Sequence, residues 1–172
     1  MEFTREQIDH LLNLSKMVEI NGVLENSVTF NQEAPFKQQY KLKSPIDDDY
    51  IFFYDINQSA KNHLKLTLHL IDNNTKAGLL RVDFNGQHQN PEKIKDGLPK
   101  DFHLFAGKFF DYNEHHIHYY VEGYKPLAWA KPLENNFPVS SIASHADVIS
   151  AFTAFNAMIT LETRFTINPI LI

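Results

Sequence analysis

The segment HLKLTLHL at positions 63–70 carries the clearest two-residue period in the chain. Its leucines fall on every second position, and polar residues occupy the positions between them. Successive side chains of a β-strand point to opposite faces, so this alternation predicts an antiparallel strand with one buried and one solvated face. The segment DNNTKAG at 72–78 has the composition of a hairpin loop, and LLRVDF at 79–84 follows it as the partner strand.

Other short runs of apolar, aromatic and β-branched residues predict further strands around this hairpin. The run YIFFYDI at 50–56 is apolar on both faces, which favours a central position in the sheet. The run at 127–130 is predicted to be the last strand, and 87–100, which contains two prolines, is predicted to be an exposed loop. The remaining predicted strands cover positions 28–30, 36–43, 102–105 and 115–121.

Helix-capping patterns stand at both ends of this strand-rich region. Thr4 followed by Gln7 fits a capping box, and apolar residues at helical spacing predict a helix over 4–19 that is ended by Gly22. Ser144 followed by Asp147, with an apolar stripe after them, predicts a second helix to about residue 163. We therefore expect one α+β domain over 1–172, with an N-terminal helix, an antiparallel sheet of about six to eight strands and a C-terminal helix packed on the sheet.

The composition excludes several classes of protein. The 172 residues are 43% hydrophobic, which suits one domain with a substantial core. No cysteine is present, so disulfides, thiolate zinc sites and cysteine nucleophiles are excluded. The net charge of -5 argues against broad non-specific binding to nucleic acid. The N-terminus shows no signal-peptide pattern and no apolar run approaches the roughly 20 residues of a membrane span, so we expect a cytoplasmic protein that does not enter a membrane.

Polar residues at alternating positions near segment 115–121 form the strongest candidate for a functional site. If the strand continues, His116, His118, Tyr120 and Glu122 lie on one face of it, because positions i and i+2 share a face. Two neighbouring imidazoles can act as a general acid and a general base near neutral pH. The alternative is a pair of histidines that only make hydrogen bonds on a solvated sheet face.

Arg81 and Asp83 alternate in the same way on the returning strand of the hairpin. An arginine on a sheet face can bind a phosphate or a carboxylate through two parallel hydrogen bonds. The simpler alternative is an ion pair between neighbours, which contributes little stability when it is exposed. Together with His116 and His118, these two residues make up the predicted catalytic group.

Residues at the ends of these strands are candidates for binding a ligand. Asn85 opens a strong turn dipeptide with Gly86, and His88 follows it on a loop beside the sheet. We predict that Asn85 and His88 bind a ligand together with Tyr120 and Glu122.

No metal or other cofactor is predicted by a recognisable motif. The sequence has no glycine-rich phosphate loop and no zinc-binding helix of the H-E-x-x-H type. A divalent metal held by the paired histidines remains the alternative, with a third ligand from Asp83, His88 or His103.

An ordered set of motifs resembles an uncharacterised domain family found in bacteria and their phages. The motifs are Asp-Ile-Asn at 55–57, Leu-x-Arg-x-Asp-x-Asn-Gly at 79–86, His at 88, Asn-Pro at 90–91, His-x-His-x-Tyr-x-Glu-Gly-Tyr at 116–124 and Trp-Ala at 129–130. The resemblance covers a core at 50–134 and implies no activity. A looser similarity connects the Arg-x-Asp and His-x-His pairs with small toxins of toxin–antitoxin modules.

Two hypotheses of function follow from different classes. In the first, the protein is an accessory protein of a phage or mobile element that binds a host protein or a small ligand, through exposed aromatic residues such as Tyr119, Phe109 or Phe110. In the second, it is a small nuclease-like or hydrolase toxin acting on RNA, with His116 and His118 as the acid–base pair and Arg81 as the phosphate anchor.

The apolar segment INPILI at 167–172 is a further candidate for contacts. We predict that it either docks on the body of the protein or joins two copies into a homodimer.

Overall fold

An eight-stranded antiparallel sheet forms the centre of the computed structural model, which describes residues 2–32, 36–59 and 65–169. One α-helix precedes the strands of this sheet along the chain and another follows them, which confirms the predicted α+β class. The elements are α1 (Arg5–Asn13), β1 (Met17–Ile20), β2 (Val23–Glu25), β3 (Ser27–Gln32), β4 (Phe36–Lys43), β5 (Ile51–Gln58), β6 (Leu66–Asp72), β7 (Gly78–Phe84), β8 (His88–Gln89), a 3-10 helix (Lys100–Phe105), β9 (Phe109–Phe110), β10 (His116–Tyr119), β11 (Trp129–Pro132), α2 (His145–Met158) and β12 (Arg164–Pro169).

The strands of the main sheet follow the order β11-β10-β7-β6-β5-β4-β1-β2. The predicted hairpin is the pair β6–β7, in which Leu68 lies opposite Val82. Two short ribbons complete the fold: β8 pairs with β9 in antiparallel orientation, and β3 pairs with β12 in parallel orientation. Positions 63 and 64 of the predicted alternation lie outside the described residues.

The two faces of the sheet differ as the alternation predicts. The leucines of β6 are buried on one face, where Ile8 of α1 and Phe155 of α2 belong to the same apolar cluster. This face therefore holds the core, and both helices pack on it. Burial of each such side chain contributes about 1.5–3 kcal/mol to stability. The opposite face carries the half-buried side chains of Thr67, His69 and Arg81.

Helix α1 is shorter than predicted. Its capping box forms as expected, since Thr4 Oγ1 accepts a hydrogen bond from the backbone N–H of Gln7 and the Gln7 side chain accepts from that of Thr4. The prediction of helix beyond Asn13 is wrong, because residues 17–20 form β1. Asn21 and Gly22 have φ angles of 52° and 82°, and a two-residue turn of this kind joins antiparallel strands. The dipeptide therefore turns β1 into β2 and outweighs the helical spacing before it.

Lys16 joins the ends of the two helices from a fully buried position. Its Nζ donates hydrogen bonds to the carbonyl oxygens of Leu12 (3.2 Å), Leu14 (2.7 Å) and Ile159 (2.8 Å). Leu14 caps α1 and Ile159 caps α2 at their C-terminal ends, where unpaired carbonyls favour a cation. Burial lowers the pKa of Lys16 to about 7.

The C-terminal region ends in a strand that the sequence does not predict. Helix α2 starts with the expected capping box of Ser144 and Asp147, but it ends at Met158 rather than near 163, and Thr160 has a positive φ of 53°. Strand β12 follows and pairs with β3, so the segment at 127–130 does not contain the last strand. Among the described residues, neither α-helix is long and apolar enough to cross a membrane.

Strand β12 accounts for the first part of the predicted apolar tail. Residues 167–169 dock on the body through pairing with β3, and residues 170–172 lie outside the described residues. A homodimer through this tail stays a prediction.

The segment between β7 and β10 differs from its prediction in two places. Residues 102–105 belong to a 3-10 helix rather than a strand. Phe102 is buried there and contacts the ring of Trp129 edge to face at a centroid distance of 6.0 Å. The predicted loop at 87–100 contains the short strand β8. Pairing of β8 with β9 carries this segment back over the polar face of the sheet.

Lys16 should make stability depend on pH in the alkaline range. Its pKa in the folded protein lies below the value of 10.5 for an ordinary lysine, so between about pH 7 and 10.5 the unfolded chain binds more protons than the folded protein. We expect wild-type stability to rise with pH across this window, by at most about 1.4 kcal/mol per pH unit from this group. Lys16→Met should lack the rise, and it should lose about 1–3 kcal/mol because carbonyls are left unpaired.

Urea unfolding of both proteins at pH 7 and at about pH 9 measures the effect. Lys41→Met is the matched control, because the Lys41 side chain is 40% exposed and pairs with Glu19 on the surface. A stability difference between wild type and Lys16→Met that stays constant with pH contradicts the prediction.

Candidate functional site

Four of the predicted residues meet on the face of the sheet opposite the helices. β7 and β10 are antiparallel neighbours in which His116 lies opposite Asp83 and His118 lies opposite Arg81. The side chains of Asp83, His116 and His118 are at most 5% exposed, whereas that of Arg81 is 40% exposed. These four residues form the His/Asp cluster.

The carboxylate of Asp83 is the centre of this cluster. Its Oδ1 accepts hydrogen bonds from Thr67 Oγ1 (2.7 Å) and from a terminal guanidinium nitrogen of Arg81 (3.0 Å). Its Oδ2 lies 3.0 Å from Nε2 of His118 and 2.8 Å from Nε of Arg81, the latter an ion pair without hydrogen-bond geometry. Burial acts to raise the pKa of Asp83, but the hydrogen bond from His118 and the charge of Arg81 outweigh it and hold the pKa well below its usual range. The carboxylate is therefore charged at neutral pH.

His118 lies between two acceptors. Its Nδ1 is 3.0 Å from the carbonyl oxygen of Leu127, and its Nε2 is 3.0 Å from Asp83 Oδ2. A neutral imidazole carries one N–H, and a donation to Leu127 leaves a lone pair on Nε2 facing the carboxylate. The contact with Asp83 therefore requires a proton or another cation at Nε2.

His116 is the most enclosed ring of the cluster. Its Nδ1 lies 2.9 Å from the carbonyl oxygen of Glu114, to which it donates. Its Nε2 is buried without a hydrogen-bond partner among the described residues and lies 3.8 Å from Asp83 Oδ2. Burial lowers the pKa of His116 to about 4. The ring is therefore neutral at pH 7 and directs a lone pair at the carboxylate.

The ribbon β8–β9 covers this cluster with two aromatic rings. His88 contacts His118 edge-on at a centroid distance of 4.4 Å and stacks with His116 at 5.8 Å. Phe110, which is fully buried, lies 4.7 Å from the ring of His116. His88, predicted to bind a ligand from a loop, thus lies directly against the predicted catalytic group, and its role in binding stays a prediction.

Asn90 anchors the ribbon to the edge of the main sheet. Its Oδ1 accepts from the backbone N–H of Ala130 (2.8 Å) and lies 3.1 Å from Nε2 of His88. Its Nδ2 donates to the carbonyl oxygens of Ala130 (2.8 Å) and Phe105 (3.0 Å). Because Nε2 of His88 also faces the carbonyl of Ala128 at 3.0 Å, this nitrogen carries the ring proton. The amide of Asn90 pairs with β11 as an additional strand would.

Tyr120 and Glu122 do not share the face of His116 and His118, and the expectation that they do is wrong. β10 ends at Tyr119, and the chain then turns toward α1. The hydroxyl oxygen of Tyr120 accepts from the backbone N–H of Phe3 (2.9 Å), and Glu122 accepts from that of Arg5 (3.1 Å).

Asn85 also lies outside the cluster. It adopts a positive φ of 57° in the turn after β7, and its backbone N–H donates to Nδ1 of His115 at 3.0 Å. Roles of Asn85, Tyr120 and Glu122 in ligand binding stay predictions.

Several expected contact residues lie elsewhere. Of the aromatic residues proposed for a partner surface, Phe109 is 50% exposed, Tyr119 is half-buried and Phe110 is buried. His103, one candidate for a third metal ligand, lies on the 3-10 helix, where its Nε2 contacts the carbonyl oxygen of Leu98. Asp83 is instead the third member of the group with His116 and His118.

Sequence reasoning missed Thr67, His69 and Asn90 at this site. Thr67 and His69 lie on β6 opposite Asp83 and Arg81, so the two-residue period of that strand contained the signal. Nε2 of His69 is buried without a partner among the described residues, and burial, followed by the charge of Arg81, lowers its pKa to about 4. The only signal for Asn90 was its place in the Asn-Pro motif.

An open cleft lies beside the cluster, with a volume of ≈ 1060 Å³. Its lining includes His69, Arg81, His88 and His118. The rim carries exposed basic and acidic side chains, namely Lys76, Lys93, Lys125 and Glu92.

A model of a family of unknown function (DUF6978) matches residues 3–160 of the chain. The chain belongs to this family. The match confirms the resemblance to an uncharacterised domain family and extends from the predicted core at 50–134 to α1 and α2. No curated protein and no solved structure matches the chain. A phage origin and the similarity to toxins stay predictions for this DUF6978 member.

The described contacts limit the chemistry of the cluster. A general acid or base must present a nitrogen to its substrate, but Nδ1 of His116 and of His118 faces a backbone carbonyl and Nε2 of both faces Asp83. Ligand atoms of Asp83, His116 and His118 lie within 4.8 Å of one another, a spacing that suits a bound cation.

The neutral histidines of the site should make the protein sensitive to acid. An ordinary histidine takes up a proton near pH 6.5, but His69 in the folded protein does so only near pH 4. Between these values the unfolded chain binds more protons than the folded protein. Stability should therefore decrease as the pH is lowered from about 6.5 to 4, by at most about 1.4 kcal/mol per pH unit from His69. His69→Gln should have a shallower slope in urea unfolding between pH 7 and 4.

His10→Gln serves as the matched control, because His10 lies exposed on α1. We expect its slope to follow that of wild type. Identical slopes for wild type and His69→Gln show that the prediction is wrong.

Asn90 should be important for stability because its amide makes complementary contacts to the edge of β11. Asn90→Asp replaces the donor Nδ2 with an oxygen that faces the carbonyls of Ala130 and Phe105. We expect a loss of about 2–4 kcal/mol, since acceptors are left unpaired next to a buried charge. Thermal unfolding measures the loss, and Asn74→Asp on an exposed loop is the control. Equal melting temperatures for the two variants are incompatible with this role.

Proposed function

We propose that this protein is a binding protein for a small ligand that carries a phosphate or carboxylate group, held in the cleft beside the His/Asp cluster. The observation that carries the proposal is the local charge. Four cationic side chains and one carboxylate line this cleft, namely Lys76, Arg81, Lys93, Lys125 and Glu92, although the chain as a whole has a net charge of -5. A concave basic surface on an acidic protein concentrates anions locally.

The three lysines supply the attraction, and Arg81 supplies geometry. The charge of Arg81 is already paired with Asp83, so its contribution to the net field is small. Its guanidinium is nevertheless held in place by both oxygens of that carboxylate while 40% of the side chain stays exposed. A guanidinium fixed in this way loses little freedom when it binds an anion.

Neutral imidazoles complete the wall of the cleft. Burial lowers the pKa of His69 and of His88, so both rings are neutral at pH 7. The N–H of His88 is engaged by Asn90 and Ala128, so this ring offers a ligand only its acceptor nitrogen Nδ1. Such rings can form hydrogen bonds with the uncharged part of a ligand next to its anionic group.

Binding of a small ligand belongs to the first of the two sequence-based hypotheses, and Arg81 as a phosphate anchor belongs to the second. Acid–base catalysis by His116 and His118 receives no support, because their nitrogens face Asp83 and backbone carbonyls. Association with a phage or mobile element and a cytoplasmic location stay predictions.

Anion binding can be tested by NMR titration of the purified protein at constant ionic strength. The probes are inorganic phosphate and citrate, which separate a preference for phosphate from one for carboxylate. We expect shifts of the backbone amides of Gly78 and Gln89 in the cleft with at least one of the two anions. In the double variant Lys76→Gln/Lys125→Gln, the dissociation constant should rise about fivefold or more, which corresponds to a loss of ~1 kcal/mol.

A second double variant, Lys41→Gln/Lys100→Gln, changes net charge equally and is the matched control, because neither residue lines the cleft. Equal weakening in the two double variants points to a general charge effect and refutes a specific site. Absence of shifts in the cleft with both anions refutes it as well.

A further inference from the structure

Two nitrogen atoms and one oxygen atom of the His/Asp cluster converge on one point between β7 and β10. Nε2 of His118 and Nε2 of His116 lie 3.0 and 3.8 Å from Oδ2 of Asp83, and all three ligand atoms lie within 4.8 Å of one another. Ligand atoms of a tetrahedral zinc site are about 3.3 Å apart, since Zn–N and Zn–O distances are about 2.0–2.2 Å. Small side-chain movements are sufficient to reach that arrangement.

Both rings are held in the orientation that metal ligation requires. Nδ1 of His116 donates to the carbonyl oxygen of Glu114, and Nδ1 of His118 donates to that of Leu127. Histidines that bind metals through Nε2 commonly donate their other N–H to a backbone carbonyl or a carboxylate, which fixes the ring and its tautomer. Nε2 of His116 thereby directs a lone pair toward Asp83, and Nε2 of His118 does so once the ion replaces the proton that it donates to Asp83.

An unpartnered atom supplies an independent observation. His116 has no solvent exposure, and its Nε2 has no hydrogen-bond partner among the described residues. A buried polar atom without a partner is unfavourable, and the carboxylate oxygen that lies 3.8 Å from it also cannot donate. A proton on His118 relieves the contact between His118 and Asp83 but leaves His116 unpaired. A cation shared by the three atoms satisfies all of them.

The surroundings of Asp83 determine how it would bind the ion. Its Oδ1 is occupied by Thr67 and Arg81, so Oδ2 is the ligand atom and the carboxylate binds through one oxygen. Nε of Arg81 lies 2.8 Å from the same Oδ2 and offsets part of its negative charge. We therefore expect lower affinity than for a site without a neighbouring cation.

The enclosure of the site favours zinc over ions that retain many waters. Phe110 and His88 cover the rings of His116 and His118 at centroid distances of 4.7 and 4.4 Å. Imidazole and carboxylate ligands without thiolates suit zinc and its neighbours in the first transition row, whereas magnesium and calcium prefer oxygen ligands and larger coordination numbers.

We propose that Asp83, His116 and His118 form a binding site for one divalent transition-metal ion, with zinc as the ion that this ligand set and enclosure fit best. The site joins β7 to β10 and lies beneath the β8–β9 ribbon. Its role is to fasten these elements of the sheet together, and it does not depend on anion binding in the neighbouring cleft.

Zinc titration of chelator-treated, untagged protein tests the site directly. Isothermal titration calorimetry should give one zinc ion per chain, and cobalt in place of zinc should give the visible absorption of a four-coordinate ion with water as the fourth ligand. His116→Gln should weaken zinc binding at least tenfold, while the exposed control His10→Gln should bind as wild type does. Equal binding by His116→Gln and wild type, or no binding by wild type, overturns the proposal.

A measurement on wild type alone covers the case in which His116→Gln does not fold. Nitrogen-15 NMR of the histidine side chains should show large shifts of Nε2 in His116 and His118 on addition of zinc, with both Nδ1 atoms still protonated. Shifts confined to the other histidines indicate binding at the surface and overturn the proposal. Anion binding in the cleft is tested with phosphate on the metal-free protein. A negative result with zinc therefore does not affect the test of anion binding, and a negative result with phosphate does not affect the test of the metal site.

Discussion

A buried carboxylate needs compensating partners on every side, and Asp83 imposes this requirement on the site. Thr67 on β6, Arg81 on β7 and His118 on β10 each supply a contact to it, so three adjacent strands of the sheet are held in one register. A slip of one residue between β7 and β10 would turn His118 toward the core and leave a charge unpaired in the interior. The polar cluster therefore specifies how these strands pair, in addition to any ligand that it holds.

Lys16 plays a comparable part at the other side of the sheet. One buried cation satisfies carbonyl oxygens at the ends of both α-helices, and its backbone also bonds with the segment after α2. Apolar packing alone tolerates many arrangements of a helix on a sheet, but three directed hydrogen bonds to one ammonium group restrict the choice. Specificity of the fold thus depends on two buried ionisable side chains, Asp83 and Lys16.

The two-residue period of the strands could be predicted from sequence, and with it the shared face of Arg81 and Asp83 and that of His116 and His118. Both capping boxes were also visible, since each depends on side chains only three positions apart. The meeting of β7 with β10 could only be inferred, because the pairing of strands separated by a long segment leaves no local signal. Tyr120 and Glu122 were misplaced since nothing in the local pattern marks where β10 leaves the sheet, and β1 was missed because helical spacing concealed the Asn21-Gly22 turn.

The parallel ribbon of β3 and β12 joins segments that are very distant along the chain, with Ser27 opposite Arg164. Closing so large a loop is entropically unfavourable until the intervening sheet has formed, and contacts of this kind slow folding. During synthesis, β3 emerges long before its partner and must remain an unprotected edge while the main sheet assembles. Pairing of β3 with β12 is therefore expected late in folding.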